Sequence, residues 1–309
     1  MRSHVMARLM LGLVAFVGLA AVACNTTTSA PVFFGPQHLY VTDEGSPSKI
    51  FVYTLPVSAT STPAVTVLTT GNLAQNPCFD GAGHIYVPLG VAADLPVFNL
   101  PLTTGSIQAF TLPVTNAEDC HFDAAGNMYV AFGVASIGVF QAPVQSSSTG
   151  GTPITDQVSG PFGVWTDAAG DVFVADETYV TEYSSLGSAN ALLAKFGTIQ
   201  GGSNFGAAIG PTGSLYVPNG TARNQIDVYD PPFTNSSAKN ASKTITVQAL
   251  TSSNYLTWVS FDRAGDLYVG ASDNTLTANH VFVFPPPYTT VGVDLNTGTL
   301  KVRGVAIGP

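Results

Sequence analysis

The sequence predicts an all-β fold, a six-bladed β-propeller of four-stranded blades, on three observations. A strand–turn–strand unit, clearest at Gly160–Asp176 (GPFGVWTDAAGDVFVAD), recurs along the chain. Its copies stand at a near-constant period. One copy is divided between the two ends of the chain, so that the last strand would complete the first blade and close the ring.

Within the unit, Val164 and Thr166 alternate with Gly163 and Trp165, and Val172 and Val174 alternate with Asp171 and Phe173. A period of two sends successive side chains of a strand to opposite faces. Between the runs stands Asp167-Ala-Ala-Gly170. Its aspartate can hydrogen-bond backbone two residues on, and its glycine tolerates positive φ, which together make a hairpin turn. The unit returns as Cys78–Val87, His121–Val130, Ala208–Val217 and Ser260–Val269. The central aromatics of the second strand are Tyr40, Tyr86, Tyr129, Phe173, Tyr216 and Tyr268, spaced 46, 43, 44, 43 and 52 residues apart. Such a period belongs to one propeller blade.

A third strand ending in proline follows each marker, as in Ile50–Pro56, Leu95–Pro101, Ile137–Pro143, Ile226–Pro232 and Val281–Pro287, with Tyr179–Ser185 as the weaker copy. Proline has no N–H to continue a ladder. A thinner fourth strand is expected at Val65–Thr70, Ser106–Leu112 and Thr244–Leu250. The sixth copy decides the topology. Gly304–Pro309 repeats the pattern of Gly206–Pro211, while Gly35–Val41 supplies a second strand with no first strand before it. Pairing of the two ends removes the free sheet edges that an open arrangement would expose.

Residues 1–23 read as a signal peptide: Arg2 and Arg8, the apolar run Leu9–Ala23, and small residues at Ala21 and Ala23. The run is too short to span a bilayer at about 20 residues. Ala21-Val-Ala-Cys24 resembles the lipobox of bacterial lipoproteins, which implies lipidation of Cys24 and a cell-envelope location, with plain secretion as the alternative. Residues 24–34 would then be the lipidated linker and 35–309 the propeller domain. Charged residues are only 9% of the chain, against about 25% in an average soluble domain. Net charge is −9, and loss of residues 1–23 removes two arginines and no acids, leaving 8 basic against 19 acidic residues. That balance excludes nucleic acid as a partner, since phosphates need Lys and Arg. The 286 residues beyond the signal suffice for one ring, expected as a monomer whose membrane contact is the lipid anchor alone.

Besides Cys24 there are Cys78 and Cys120, on the predicted inner strands of neighbouring blades. Counted from the turn aspartates (Asp80, Asp123), one lies two residues before and the other three. Their side chains are therefore expected to face opposite ways, which argues against a disulfide. The sequons at Asn25, Asn219, Asn235 and Asn240 read as polar loop residues.

The first strand of each blade should line the axis. One and three residues before the turn, the six copies carry Phe79, Phe122, Thr166, Ile209, Phe261, Ile307 and Pro77, Cys120, Val164, Ala207, Val259, Val305, an apolar side expected to pack between blades. Two and four before it stand Cys78, His121, Trp165, Ala208, Ser260, Ala306 and Asn76, Asp119, Gly163, Gly206, Trp258, Gly304, the side expected to carry function. Asn76, Cys78, Asp119 and His121 stand together on two adjacent blades as a candidate ligand or metal corner, since His, Asp and Asn nitrogen and oxygen atoms can share a cation such as Ca²⁺. The alternative is that His121 and Asp119 hydrogen-bond each other and nearby backbone within a narrow channel. Trp165 and Trp258 are candidates for stacking on a flat ligand or for blade packing. On the face where the inner strands begin lie Asp43, Glu44, Asp94, Glu118, Asp176, Glu177, Asn204, Asn219, Arg223, Asp273 and Arg303. The recurring turn aspartates are assigned no catalysis, and no nucleophile elbow, zinc-protease motif or phosphate loop occurs.

At Pro161-Phe-Gly-Val164, Asp167-Ala-Ala-Gly170 and Val172-Phe-Val-Ala-Asp176 the unit resembles the NHL repeat, and Arg223–Tyr229 resembles its last piece. Such propellers, and the similar gluconolactonase-like and virginiamycin-lyase-like ones, include binding modules and metal-dependent lactonases or lyases. The lactonase-like members hold a cation with a central Glu/Asn/Asn/Asp set. The resemblance points to Asn76, Asp119 and Asn204 as metal candidates, beside the His121 named above, and a matching central Glu is not identifiable. Two readings follow: an envelope-anchored module binding a protein or small ligand, and a metal-dependent enzyme using the channel.

Overall fold

The computed structural model describes residues 35–309, apart from 70, 134–135, 156–157, 177–178, 186–190, 197–205, 220–223, 234–240, 249, 251–253, 274–278 and 299–300. The signal, Cys24 with its linker, Asn204, Glu177, Arg223, and the sequons at Asn25, Asn235 and Asn240 lie outside the described residues.

Six antiparallel sheets form the ring. Blade 1 runs from the axis outwards as β23 (Val302–Gly308), β1 (His38–Asp43), β2 (Lys49–Thr54) and β3 (Val65–Leu68). Blade 2 is β4 (Cys78–Phe79), β5 (His84–Tyr86), β6 (Leu95–Asn99) and β7 (Gln108–Leu112). Blade 3 has three strands, β8 (Ala117–Phe122), β9 (Met128–Phe132) and β10 (Ser136–Phe140), with an isolated bridge between Ile137 and Ile154 where a fourth would lie. Blade 4 is β11 (Gly163–Thr166), β12 (Val172–Ala175), β13 (Val180–Tyr183) and β14 (Leu192–Phe196). Blade 5 is β15 (Ala208–Ile209), β16 (Leu215–Asn219), β17 (Gln225–Tyr229) and β18 (Lys243–Thr246). Blade 6 is β19 (Asn254–Phe261), β20 (Leu267–Asp273), β21 (His280–Phe284) and β22 (Val293–Asn296). The expected closure is present: β23 pairs with β1 from His38↔Gly308 to Asp43↔Val302.

The turn chemistry is that expected of Asp-x-x-Gly. In blade 2, Asp80 Oδ1 accepts from the N–H of Ala82 at 2.9 Å and of His84 at 2.8 Å, and Gly83 takes φ of 94°. Asp123 and Asp167 repeat the arrangement. The aspartates also do something the turn alone does not require. Tyr86 donates to Asp80 Oδ2 at 3.1 Å, Tyr129 to Asp123 at 3.4 Å and Tyr268 to Asp262 at 3.2 Å. Each buried phenol thereby keeps a partner, as a buried hydroxyl must. In blade 1, which has no such turn, the Tyr40 hydroxyl donates to the Pro309 carbonyl.

Blades stack through those same aromatics. Tyr40 packs on Phe79, Tyr86 on Phe122 and Tyr216 on Phe261, with ring centroids 4.8–4.9 Å apart. In each pair the second strand of one blade meets the inner strand of the next. The core is accordingly six apolar clusters, one in each seam.

Candidate functional site

The inner strands build two levels along the axis. The deeper level, four residues before the turn, is closed. Trp258 is fully buried, and Asn76 and Asp119 are nearly so. Gly163, Gly206 and Gly304 supply the other three blades. A Cβ on Gly206 would meet Trp258 Cδ1 at 2.4 Å, one on Gly163 would meet Gly206 Cα at 2.8 Å, and one on Gly304 would meet Asn76 Cα at 2.6 Å. Among the described residues, Trp258, Asn76, Asp119 and three glycines thus pack closely at this height.

The polar members of this plug form a belt across four blades. Val305 N–H donates to Asn76 Oδ1 at 3.0 Å, and Asn76 Nδ2 donates to Asp119 Oδ1 at 3.0 Å. Val164 N–H then donates to Asp119 Oδ2 at 2.9 Å, while Cys120 N–H reaches Oδ1 at 2.9 Å. Burial pushes the Asp119 carboxyl up to about 8, against the pull of these donors and of the Trp258 indole. Asp119 is thus bonded to Asn76 and to backbone, while His121 pairs with Thr166 rather than with Asp119, the partner the sequence reading offered it as the alternative to a metal corner. A cation there would have to displace N–H donors. Among the described residues, no group of three or more His, Cys, Asp or Glu is placed to hold a metal.

Two residues nearer the turn the axis opens into a cavity of about 380 Å³ on the face carrying the Asp-x-x-Gly turns. His121, Trp165, Cys78, Ser260 and Ala306 line it, as the repeat alignment expects of that register. His121 and Trp165 pack ring on ring in a tilted arrangement, centroids 3.9 Å apart and planes inclined by 37°. Thr166 N–H points to His121 Nδ1 at 3.3 Å and the Thr166 hydroxyl oxygen lies 2.9 Å from the same nitrogen. An acceptor Nδ1 makes Nε2 the N–H donor of a neutral ring. Burial pushes this imidazole down to about 3, so it stays uncharged through the physiological range. Trp258, by contrast, belongs to the plug below, and the two tryptophans have separate roles.

Phe79, Phe122, Phe261 and Ile307 also line the cavity, although their register was expected to pack only between blades. The inner strand presents its edge to the axis, so side chains from both of its faces flank the opening. Their recurrence one residue before the turn was the available signal. Gln37 and Arg263 complete the rim. Arg263 N–H donates to Gln37 Oε1 and its Nη1 to the Gly35 carbonyl, both at 2.9 Å.

The expectation against a disulfide is corrected. Cys78 and Cys120 are bonded, with Cα atoms 5.5 Å apart, and both line the cavity. The opposite parity that seemed to separate them is what joins them. Adjacent blades pack face to face, so the side of one inner strand two or four before the turn meets the side one or three before it on the next. His121 to Thr166, Ser260 to Ile307 N–H, and Asp119 to Val164 N–H obey the same rule.

On the opposite face Glu118 is half-buried, and burial pushes its carboxyl up to about 7 although the Arg303 charge pulls the other way. Arg303 itself is held by Glu44 Oε2, with Nη2 at 2.7 Å, and Lys301 Nζ reaches the same oxygen at 3.0 Å. Asp176 accepts from Tyr179 N–H at 2.6 Å, and Asn219 donates to Asp227 Oδ2 at 2.7 Å.

No family model matches the chain, and no curated protein does, so the NHL likeness stands on its residues alone. Solved structures do match. A protein of unknown function from Bacteroides caccae superposes with a TM-score of 0.65 at 14% identity, over 88% of this chain and 99% of its own. A functionally unknown protein from Desulfotomaculum acetoxidans gives 0.61 at 12% identity, over 88% of each chain. The WD40 β-propeller domain of Doa1 gives 0.60 at 10% identity, over 88% of this chain and 83% of its own. At such identities the likeness is one of fold: this chain is a six-bladed β-propeller, with blades of four strands and one of three.

Proposed function

We propose that this protein is a binding module whose axial cavity on the turn face takes a small molecule bearing a flat apolar ring. The ring would lie against Trp165 between Phe79, Phe122 and Phe261, with an acceptor atom turned to the His121 N–H. The observation that carries this reading is the close, tilted His121–Trp165 ring pair bordering an aromatic-lined cavity of about 380 Å³. That volume falls within the about 300–1,000 Å³ typical of small-ligand sites, which are apolar with a few placed polar groups. An axial metal enzyme is less well supported, because the Asn76 and Asp119 polar atoms are spent on each other and on backbone N–H groups.

The module is read as exported and held by lipid on Cys24. Sparse charge and a disulfide, which suits an oxidising compartment, support export. Fatty-acid labelling that persists in Cys24→Ser would exclude that anchor.

The site is tested with 4-nitrophenol, a planar quencher of indole emission. Trp165 borders the cavity and Trp258 is sealed below it, so quenching should be saturable in the wild type. In Trp165→Phe the saturable part should vanish. Identical titration curves for the two proteins would overturn the cavity reading.

A further inference from the structure

A second concavity of about 690 Å³ lies beside the axial one on the same face, and His121, Phe122 and Trp165 line both. It runs over blades 3, 4 and 5, walled by Ala124, Ala168, Pro211, Pro231, Pro232 and Phe233. Its polar members, Thr166, Asp167 and Glu182, are few. Thr166 and Asp167 are engaged, Thr166 with His121 and the Phe122 carbonyl, and Asp167 with its own turn. A groove of proline, alanine and phenylalanine offers apolar surface and little to satisfy a peptide backbone, whose N–H and C=O groups each demand a partner.

We infer that the ligand is an elongated amphiphile, its ring in the axial cavity and an unbranched apolar tail laid along this groove. The inference rests on the cavity reading above and extends it. It follows from continuity: a ring seated against Trp165 has the groove as its apolar exit, past the wall the two spaces share. A tail without donors or acceptors suits proline walls, and each methylene removed from water there adds affinity.

The test is displacement of 4-nitrophenol by phenol and by 4-alkylphenols from ethyl to octyl. Affinity should rise with each methylene, by up to about fourfold per CH₂ where burial is complete. Ala168 and Ala124 are exposed turn residues at the groove walls, so Ala168→Phe and Ala124→Phe intrude on the groove from two different blades without entering the core. In whichever of these melts like the wild type, phenol should bind as before while the dependence on chain length flattens. Phenol that displaces the probe with no gain from longer chains would overturn the tail assignment and leave the cavity reading standing. A chain-length gain unchanged in both variants would also overturn it. Failure of phenol itself to displace the probe would remove the cavity reading, and this inference with it.

Discussion

Asp119 gathers more of the axis around one side chain than any other residue of the plug, and its pH response is opposite to that of a surface acid. In the folded protein burial pushes it up to about 8, while an unfolded chain releases the proton near the ordinary 3.8. Between those values the folded state holds a proton that the unfolded state has lost, so its contribution to stability falls as pH rises. Glu118 does the same up to about 7. His121 runs the other way: an unfolded imidazole binds a proton near 6.5 that the folded one refuses down to about 3, so stability falls as pH drops through that window. Above pH 7 Asp119 has most of its transition ahead, while Glu118 is past its midpoint. Wild-type stability from urea unfolding should therefore decline between pH 7 and 8, by about 1 kcal/mol. In Asp119→Asn most of that decline should be lost. The variant should also lose about 1–3 kcal/mol overall, because an amide offers one acceptor oxygen where Val164, Asn76 and Cys120 present donors to two. An unchanged decline would mean that another group carries the titration.

At the scale of strands and blades, the Cys78–Cys120 bridge and the Asn76–Asp119 pair fasten the same seam, between blades 2 and 3. That seam needs them: β4 has two residues, Cys78–Phe79, and blade 3 has three strands. The disulfide closes a loop with a sequence separation of 42, for which the chain-entropy relation gives about 4 kcal/mol and measured bridges typically about 2–4 kcal/mol. Cys78→Ser with Cys120→Ser should accordingly lower the unfolding free energy read from urea denaturation by that amount, and a loss under about 0.5 kcal/mol would show that the hydrogen-bonded belt holds the seam unaided. This seam also marks what the sequence could and could not convey. The repeat period and the Asp-x-x-Gly turns are local patterns, and they located the blades. The parity of His121, Trp165, Asn76 and Asp119 put all four on one side of the inner strands, and did not tell the closed level of Asn76 and Asp119 from the open one of His121 and Trp165. The disulfide was misjudged because parity within one strand says nothing of how the facing blade is turned. The Phe79, Phe122 and Phe261 walls were missed for a related reason: an edge-on strand exposes both its faces, which no single strand's alternation reveals. The groove beside blade 5 depends on Pro231, Pro232 and Phe233, residues outside the inner strands on which the candidate site was sought.

The whole molecule depends on β23, which supplies the inner strand of blade 1, the donor that begins the belt and part of the axial cavity. Val305, Ala306, Ile307 and Gly308 line that cavity, so the shape of the cavity is tied to ring closure. At the far end of the same strand Arg303 and Lys301 converge on Glu44 Oε2. Such partly exposed pairs contribute little singly, about 0–1 kcal/mol, so the closure must rest mainly on the strand ladder and on packing. Gly304 is where that packing is tightest. A methyl there would meet Asn76 Cα at 2.6 Å, Gln75 O at 2.7 Å and Thr42 Oγ1 at 2.6 Å, and two of these three are backbone that cannot swing away. Blade 1 would have to back off from blade 2, lengthening the Val305 N–H to Asn76 bond on which the belt begins. Gly304→Ala should then cost about 1–3 kcal/mol, the range for overpacking a filled site. Gly105→Ala, where a methyl meets open space, should stay within about 0.5 kcal/mol. The stronger expectation is a coupled one. Gly304→Ala should speed amide exchange at Val305 and weaken saturable 4-nitrophenol quenching, although residue 304 does not border the cavity. Lost stability with exchange at Val305 and probe affinity both unaltered would show that closure and cavity are independent, and that β23 shapes the site only by its presence.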